Sequence, residues 1–390
     1  MKLSSILFLL AISETASGRD WHIGGEIKHT IWVGDEIPAG FLEFDDDVFH
    51  APSLSLDFDF QPNPHLYFHS TFRADRGFDA GTEPDGDFRF DTLFLQYRPL
   101  GDNRLNLQAG KFATVIGNSV YQYGDNPFLL APLPYSSIVG VPTQNIEQIS
   151  GQAIEDRANG LTPGIHTNKE SWSSIVWGPA YTNGIAAFGT TGKLDYAFEV
   201  KNTSSGSNPE EWEFGEGDFR DPFFAGRIGY RPDAAWAFGF SFSHGPFLDA
   251  DAFDQLNPDF DRGDFDQTLA SVDFRWAGGK WEVSGESFFS TYDRDGEDLQ
   301  AFNYYLQSKY KVAPGVWVAA RFGQTLTNDV ATPSGGEAPW SPDIQRAELA
   351  TGWRITPDLV LQAQYTYTRV TNEISAPARN LYSLSTSWKF

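Results

Sequence analysis

The connections between apolar segments alternate in length along the whole chain, and this alternation restricts the fold more than any other feature. Seven short connections contain Gly, Pro, Asp or Asn and lie near Asn63, Gly101, Gly192, Pro232, Gly278, Pro314 and Pro357. Eight longer segments separate them, at residues 34–49, 75–87, 115–179, 203–221, 245–264, 292–299, 328–343 and 371–379. Seven turns and eight loops connect sixteen strands. Because turns and loops alternate strictly, all turns lie at one end of the sheet, together with both termini.

Individual segments show the two-residue period of a strand with one apolar and one polar face. In the last eleven residues, Tyr382, Leu384 and Trp388 fall on one face and serines fall on the other. A soluble core could not bury such polar faces without pairing every charge on them. We therefore predict an all-β fold, a transmembrane antiparallel β-barrel of about 16 strands with short periplasmic turns and long extracellular loops.

The two-residue period does not define the strand register of two segments. The apolar positions of residues 88–97 change phase near Thr92. In residues 105–112, Lys111 would lie on the lipid face unless Gly110 marks a β-bulge, a common role of glycine in strands.

The first residues have the pattern of a secretory signal. Lys2 precedes an apolar run from Ile6 to Ile12, and Ala16 and Gly18 suit a cleavage site. The chain contains no cysteine, so disulfides cannot stabilise it. We predict a signal peptide at residues 1–18 and one barrel at residues 19–390. A soluble propeller or double sandwich is the alternative, but the fixed repeat of a propeller is not found.

Three features resemble those of bacterial outer-membrane porins, and together they cover essentially the whole chain. They are the sixteen strands joined alternately by short turns and long loops, the signal peptide, and the terminal Trp-Lys-Phe. A shorter stretch, Leu93 to Asn118, is similar to the phosphate-selective porin group, in which a strand, a short turn and a second strand end in Gly-Lys-Phe. The proline usual after that motif is absent here. The wider resemblance implies a homotrimer in contact with outer-membrane lipid and lipopolysaccharide, but it does not identify the solute.

The loop at 115–179 is far longer than ordinary connections. It contains an apolar stretch, Asn126 to Gly140, that a fully solvated loop would not favour. We predict that it folds into the barrel and narrows the lumen; the alternatives are an outer cap and a contact with a neighbouring subunit. The charged candidates for the constriction are Asp125, Glu147, Glu155, Asp156 and Arg157.

Motifs for catalysis or a resident metal are not found. None of the seven histidines lies in a nucleophile or zinc motif, and no GxSxG elbow or Walker loop occurs. His65 and His69 are four residues apart, which on a strand separates them by about 13 Å. An enzyme would need His50 or His244 beside a serine and an acid at the outer rim. We therefore expect no catalytic residues, no structural metal and no cofactor.

Two acidic loop segments could bind hard cations weakly. Asp259 to Asp266 and Asp293 to Asp298 supply the carboxylates that Ca²⁺ or Mg²⁺ prefers, without the spacing of an EF-hand. The alternative is a solvated acidic loop. We expect no nucleic-acid partner.

The net charge of −24 is divided unevenly along the chain. The eight predicted loops carry −29 together, so the remaining residues carry +5. The predicted pore-lining residues are therefore mixed in sign: Asp57, Asp59, Arg73, Arg89, Lys201, Arg227, Arg275, Lys309, Arg321, Arg346 and Glu348, with Asp91, Asp195, Glu199, Asp273, Glu282 and Glu286 as further inward acids. Such a lumen favours polar, weakly charged solutes.

These patterns predict an outer-membrane porin through which small hydrophilic solutes or ions diffuse passively. Three alternatives remain open from the sequence. They are a porin selective for phosphate, another small anion or a sugar; an outer-membrane enzyme; and a structural barrel plugged by its long loop.

Overall fold

The computed structural model describes residues 20–35, 40, 48–76, 87–118, 126–143, 145–162, 164–165, 172–178, 180–206, 222–248, 264–294, 296–371 and 378–390. The predicted signal peptide, Asp125 and much of the acidic loops lie outside these ranges.

Sixteen antiparallel strands form one closed barrel, which confirms the predicted fold class and strand number. Each barrel strand pairs with the next barrel strand along the chain, and the first pairs with the last. The barrel strands are β1 Asp20–Gly34, β2 Val48–Asn63, β3 Leu66–Asp75, β4 Asp87–Tyr97, β5 Asn106–Phe112, β8 Thr182–Thr191, β9 Leu194–Lys201, β10 Phe223–Tyr230, β11 Trp236–Pro246, β12 Asp266–Gly278, β13 Trp281–Tyr292, β14 Leu299–Ala313, β15 Val316–Thr327, β18 Asp343–Arg354, β19 Leu359–Thr371 and β20 Arg379–Lys389.

The remaining elements belong to two of the long connections. Two small two-stranded sheets and one short helix form there: β6 Ile138–Pro142 with β7 Trp172–Ser174, β16 Asp329–Ala331 with β17 Glu337–Pro339, and α1 Gly151–Ala158. Short 3₁₀ turns lie at Leu133–Tyr135 and Ile146–Ile149. Within the described ranges, no helix has both the length and the apolar character needed to cross a membrane.

The short turns owe their shape to glycine and to side-chain caps. Gly192 and Gly279 adopt a φ of 59° at hairpin tips, in the left-handed region that glycine enters without steric cost. Elsewhere a polar side chain closes the turn, as where Asp233 accepts hydrogen bonds from the backbone N–H groups of Ala235 and Trp236. Because consecutive strands are antiparallel and short connections alternate with long ones, all seven short turns lie at one end of the barrel, called here the turn side. The long connections leave from the opposite loop side.

The outward face of the barrel is apolar, as the sequence period predicts. In β20, Tyr382 and Leu384 expose more than half of their surface, whereas Ser383 and Ser385 are buried inside. In β11 the phenylalanines project outward and Ser241 is fully buried. This inversion of the soluble pattern is typical of barrels that face lipid.

The structure resolves both register questions. Thr71 pairs with Thr92 and Phe72 pairs with Phe90, so a β-bulge at Asp91 produces the phase change. Gly110 has a φ of 130°, but the pairing of β5 with both neighbours continues through it without a shift. Lys111 therefore lies on the outward face.

The largest apolar core lies inside the barrel, between the wall and the segment that connects β5 to β8. We call the described residues among 113–181 the inward segment. Its Tyr135, Val139 and Ile175 pack against wall residues that include Phe288 and Tyr305. Because each fully buried side chain of this size contributes about 1.5–3 kcal/mol, this apolar stretch holds the segment within the barrel.

Candidate lumenal site

One wall carboxylate fixes two distant parts of the inward segment. Glu286 on β13 accepts the backbone N–H of Asn118 at 2.9 Å and the hydroxyl of Tyr135 at 2.8 Å. Tyr305 on β14 donates to the same carboxylate at 3.2 Å. The inward segment therefore extends from β5 across the interior to the wall around β13.

A second anchor lies farther around the wall. Arg321 on β15 donates to Glu348 at 2.8 Å and to the carbonyl of Leu130 at 2.7 Å, and its guanidinium lies 4.2 Å from the centre of the Phe128 ring. The backbone N–H of Leu129 donates to Gln364 at 2.6 Å. These bonds hold residues 127–131 at a defined height in the barrel.

A cavity of about 250 Å³ separates that part of the inward segment from the wall formed by β20, β1, β2 and β3. The segment contributes Asn126 to Leu129 and Ala131 to it, and serines line much of the opposite wall. Its charged lining residues are five basic and three acidic: Lys28, Arg73, Lys309, Arg354 and Lys389 with Glu26, Asp75 and Asp358. We call this space the first cavity.

A second cavity of about 810 Å³ lies on the turn side of the strands from β8 to β12. Its charged lining residues are Arg98, Arg227, Arg231 and Arg275 with Asp195 and Asp233. The formal charge of both cavity linings is therefore positive, although the whole chain is strongly acidic.

Two arginines and two aspartates form a cluster on the inner wall beside the first cavity. The Arg73 Nε lies 2.7 Å from Asp91, and the Arg89 Nε lies 3.0 Å from the same carboxylate. Arg89 also reaches Asp75 at 3.0 Å. The aspartates are almost fully buried and the arginines are slightly exposed, so the carboxylates hold the guanidinium groups at the edge of the lumen.

The predicted pore-lining residues fall into three groups. Arg73 and Lys309 line the first cavity, and Arg227 and Arg275 line the second. Asp57, Asp59 and Arg89 lie on the inner face in contact with other wall residues. The remaining four are buried. Lys201, Arg321 and Arg346 donate to the inward segment, and Glu348 accepts from Arg321.

The described constriction candidates lie around α1, on the loop side. Glu155 accepts the backbone N–H of Ser334 at 3.3 Å, and Arg157 donates to the carbonyls of Gln148 and Trp340. The backbone N–H of Glu147 donates to Asn145, and Asp156 accepts from Gln152. None of these four side chains lines either cavity, and Asp125 lies outside the described residues.

Several cavity residues were not among the sequence candidates. Lys28, Arg354 and Lys389 occupy inward positions of β1, β18 and β20, which the two-residue period could have identified. Phe128 and Trp317 have no such signal, because an aromatic residue in a barrel sequence is ordinarily assigned to the lipid face.

His244 lies between an acid and a hydroxyl at the outer end of β11. Its Nε2 is 3.1 Å from Asp266, and its Nδ1 is 2.9 Å from the Oγ1 of Thr268, its paired residue on β12. The hydroxyl is a threonine and not the serine that the sequence criterion requires, and the contact is an ordinary cross-strand pair. His50 contacts His29 at 3.3 Å on the neighbouring strand.

Asp293, directly after β13, lies near Asp298 and His244 at the loop-side end of the barrel. Burial raises the pKa of Asp293, the neighbouring Asp298 raises it further, and His244 opposes the shift. Among the described residues, no group of three or more His, Cys, Asp or Glu side chains is arranged to hold a metal ion. Most of residues 259–266 lie outside the described ranges, so weak cation binding there stays a prediction.

No protein-family model and no curated protein sequence matches this chain. Solved structures do match its fold. The outer membrane channel DcaP of Acinetobacter baumannii aligns with a TM-score of 0.59 and 11% identity, over 96% of this chain and 99% of that one. OmpT, an outer membrane protein of Vibrio cholerae, aligns with a TM-score of 0.57 and 10% identity, over 97% of this chain and 99% of that one. The anion-selective porin from Comamonas acidovorans aligns with a TM-score of 0.56 and 11% identity, over 95% of this chain and 100% of that one. The chain therefore has the fold of bacterial outer-membrane porins and channels.

Proposed function

We propose that this protein is an outer-membrane porin through which small hydrophilic solutes and ions diffuse passively. The observation that carries the proposal is the pair of polar, charge-lined cavities beside an inward segment within a closed barrel. A water-filled lumen with charged walls selects solutes by size and charge, and it requires no chemical step. We therefore infer that the protein is not an enzyme.

The inward segment is the proposed constriction. Its apolar stretch packs on one side of the wall and leaves the first cavity along the other side. We infer that residues 126–131 and the facing wall residue Arg73 limit the pore, whereas the helix α1 shapes the loop-side entrance. This arrangement argues against a barrel that is fully plugged.

An anion-selective porin is a second candidate, favoured by the excess of basic side chains in both cavities. One structural neighbour is described as an anion-selective porin, and another is a trimer form of OmpT. We propose a homotrimer here too, bounded by outer-membrane lipid and lipopolysaccharide and exported with residues 1–18 as its signal peptide.

Single-channel recording in a planar bilayer tests the channel function. We expect stepwise, ohmic conductance that closes in groups of three if three barrels insert together. Folding is checked independently by the heat-dependent shift of the band on a denaturing gel. A pure, folded protein that never conducts would contradict the proposal and favour the plugged barrel.

A further inference from the structure

The turn-side end of the first cavity combines cationic side chains with an aromatic surface. We propose that this end is a binding subsite for small organic anions that carry an aromatic ring, of which benzoate is the simplest probe. The inference rests on the porin function proposed above and adds a solute class to it.

Two of the cationic groups have no carboxylate partner among the described side chains. Arg354 and Lys389 line the cavity, both are exposed, and neither lies within 4 Å of a carboxylate among the described side chains. By contrast, Lys309 lies 3.8 Å from Glu282. Since cations bind carboxylates through charge-assisted hydrogen bonds, Arg354 and Lys389 are the groups available to an incoming anion.

The aromatic surface is supplied by Trp317. Its ring lies directly over Gly352 on the neighbouring strand, where an added Cβ would come within 2.2 Å of the indole. Gly352 is two residues before Arg354, so both project from the same face of β18. Because Gly352 has no side chain, the Trp317 indole can lie against the wall there. The Arg354 guanidinium projects from the same face of this strand.

The composition and size of the cavity restrict the ligand class. Phe128 and Trp317 both line it, so a ligand with an apolar ring gains contact area that acetate or phosphate does not. The volume of about 250 Å³ lies below the range of about 300–1,000 Å³ that drug-sized ligands occupy. One ring with one carboxylate suits this space, whereas a neutral sugar would leave the cations unpaired.

The test compares three probes on single channels of the full barrel at low salt. We expect benzoate to produce current interruptions, and acetate and benzyl alcohol at the same concentration to produce far fewer. Arg354→Gln should shorten the benzoate interruptions about tenfold, the equivalent of one charge-assisted hydrogen bond. Lys389→Gln should act in the same direction.

Two variants separate a subsite from general electrostatics. Arg104→Gln removes the same charge at the turn-side rim, where Arg104 pairs with Asp102 outside both cavities, and should leave the interruptions unchanged. Trp317→Leu should shorten the benzoate interruptions and leave acetate conductance intact. Equal effects of acetate and benzoate, or of Arg104→Gln and Arg354→Gln, would overturn the subsite. A wild-type barrel that conducts without responding to benzoate would overturn it while leaving the porin function in place.

Discussion

At the residue scale, Lys201 joins the two ends of the inward segment. Its Nζ donates to the carbonyl of Phe112 at 2.7 Å, where the segment leaves the wall, and lies 3.4 Å from the carbonyl of Ala180, where it returns. Ala180 has a φ of 51°, the one positive value among the described non-glycine residues. Beside them, Glu199 accepts the hydroxyl of Thr114. The buried ammonium group of Lys201 thus positions both ends of the inward segment.

Replacing Lys201 should loosen the inward segment without breaking the barrel. Lys201→Met keeps an unbranched side chain, shorter by one atom, but leaves two carbonyls and the buried Glu199 without their cation, which costs about 3 kcal/mol or more. We expect a lower unfolding temperature and larger, noisier single-channel currents. Lys193→Met is the control, because Lys193 also donates to a carbonyl but lies at an exposed turn. Identical currents in both variants would show that Lys201 does not position the segment.

At the scale of elements, the last strand closes the barrel. The backbone N–H of Phe390 donates to the carbonyl of Gly25 at 3.0 Å, and the N–H of Gly25 donates back at 3.0 Å. The side chains of Trp388 and Phe390 lie in contact and half exposed at the turn-side rim. The terminal residue therefore completes the ladder between β20 and β1 and supplies an aromatic group at the membrane interface.

Deleting Phe390 should impair insertion more than an equal deletion in a loop. The truncation removes two ladder hydrogen bonds at the seam and one interfacial ring, whereas removing Ser334 from the exposed connection between β16 and β17 removes neither. The measurement is the amount of heat-modifiable protein in the membrane fraction. Normal amounts of the truncated protein would mean that the seam does not depend on its last residue.

At the scale of the whole molecule, the formal charge of the long loops is opposite in sign to that of the two cavity linings. The long loops are acidic by sequence, and the linings of both cavities carry a formal excess of positive charge. In the proposed porin, we expect a solute arriving from the loop side to meet a negative potential first and a positive one next. The range over which each acts depends on the salt concentration.

This separation predicts an ion selectivity that changes with salt. At low salt the potential of the acidic loops reaches across the entrance, and the Debye length falls to about 3 Å near 1 M salt. We expect a weak cation preference at low salt that fades or turns toward anions at high salt. Reversal potentials across a salt gradient measure it. Strong anion selectivity already at low salt would place the acidic loops away from the path of the ions.

The sequence alone determined the barrel, because strand period and connection length are local properties. The alternation in β20 and β11 follows from the two-residue repeat of any strand, and counting turns and loops gives the closed set of sixteen. The inward residues Arg73, Lys309, Arg227 and Arg275 follow from the same period. Even the bulge at Asp91 left a local signal, as a break in phase.

Only the tertiary structure decided which inward residues face open space. Lys201, Arg321 and Arg346 occupy inward positions like Arg73, but the inward segment bonds to them and buries them, since it packs on the side of the barrel where its apolar residues meet Phe288 and Tyr305. That choice depends on contacts between residues more than a hundred positions apart, which no local period encodes. In the same packing, Lys201 binds both ends of the inward segment, whereas Arg354 and Lys389 line the first cavity.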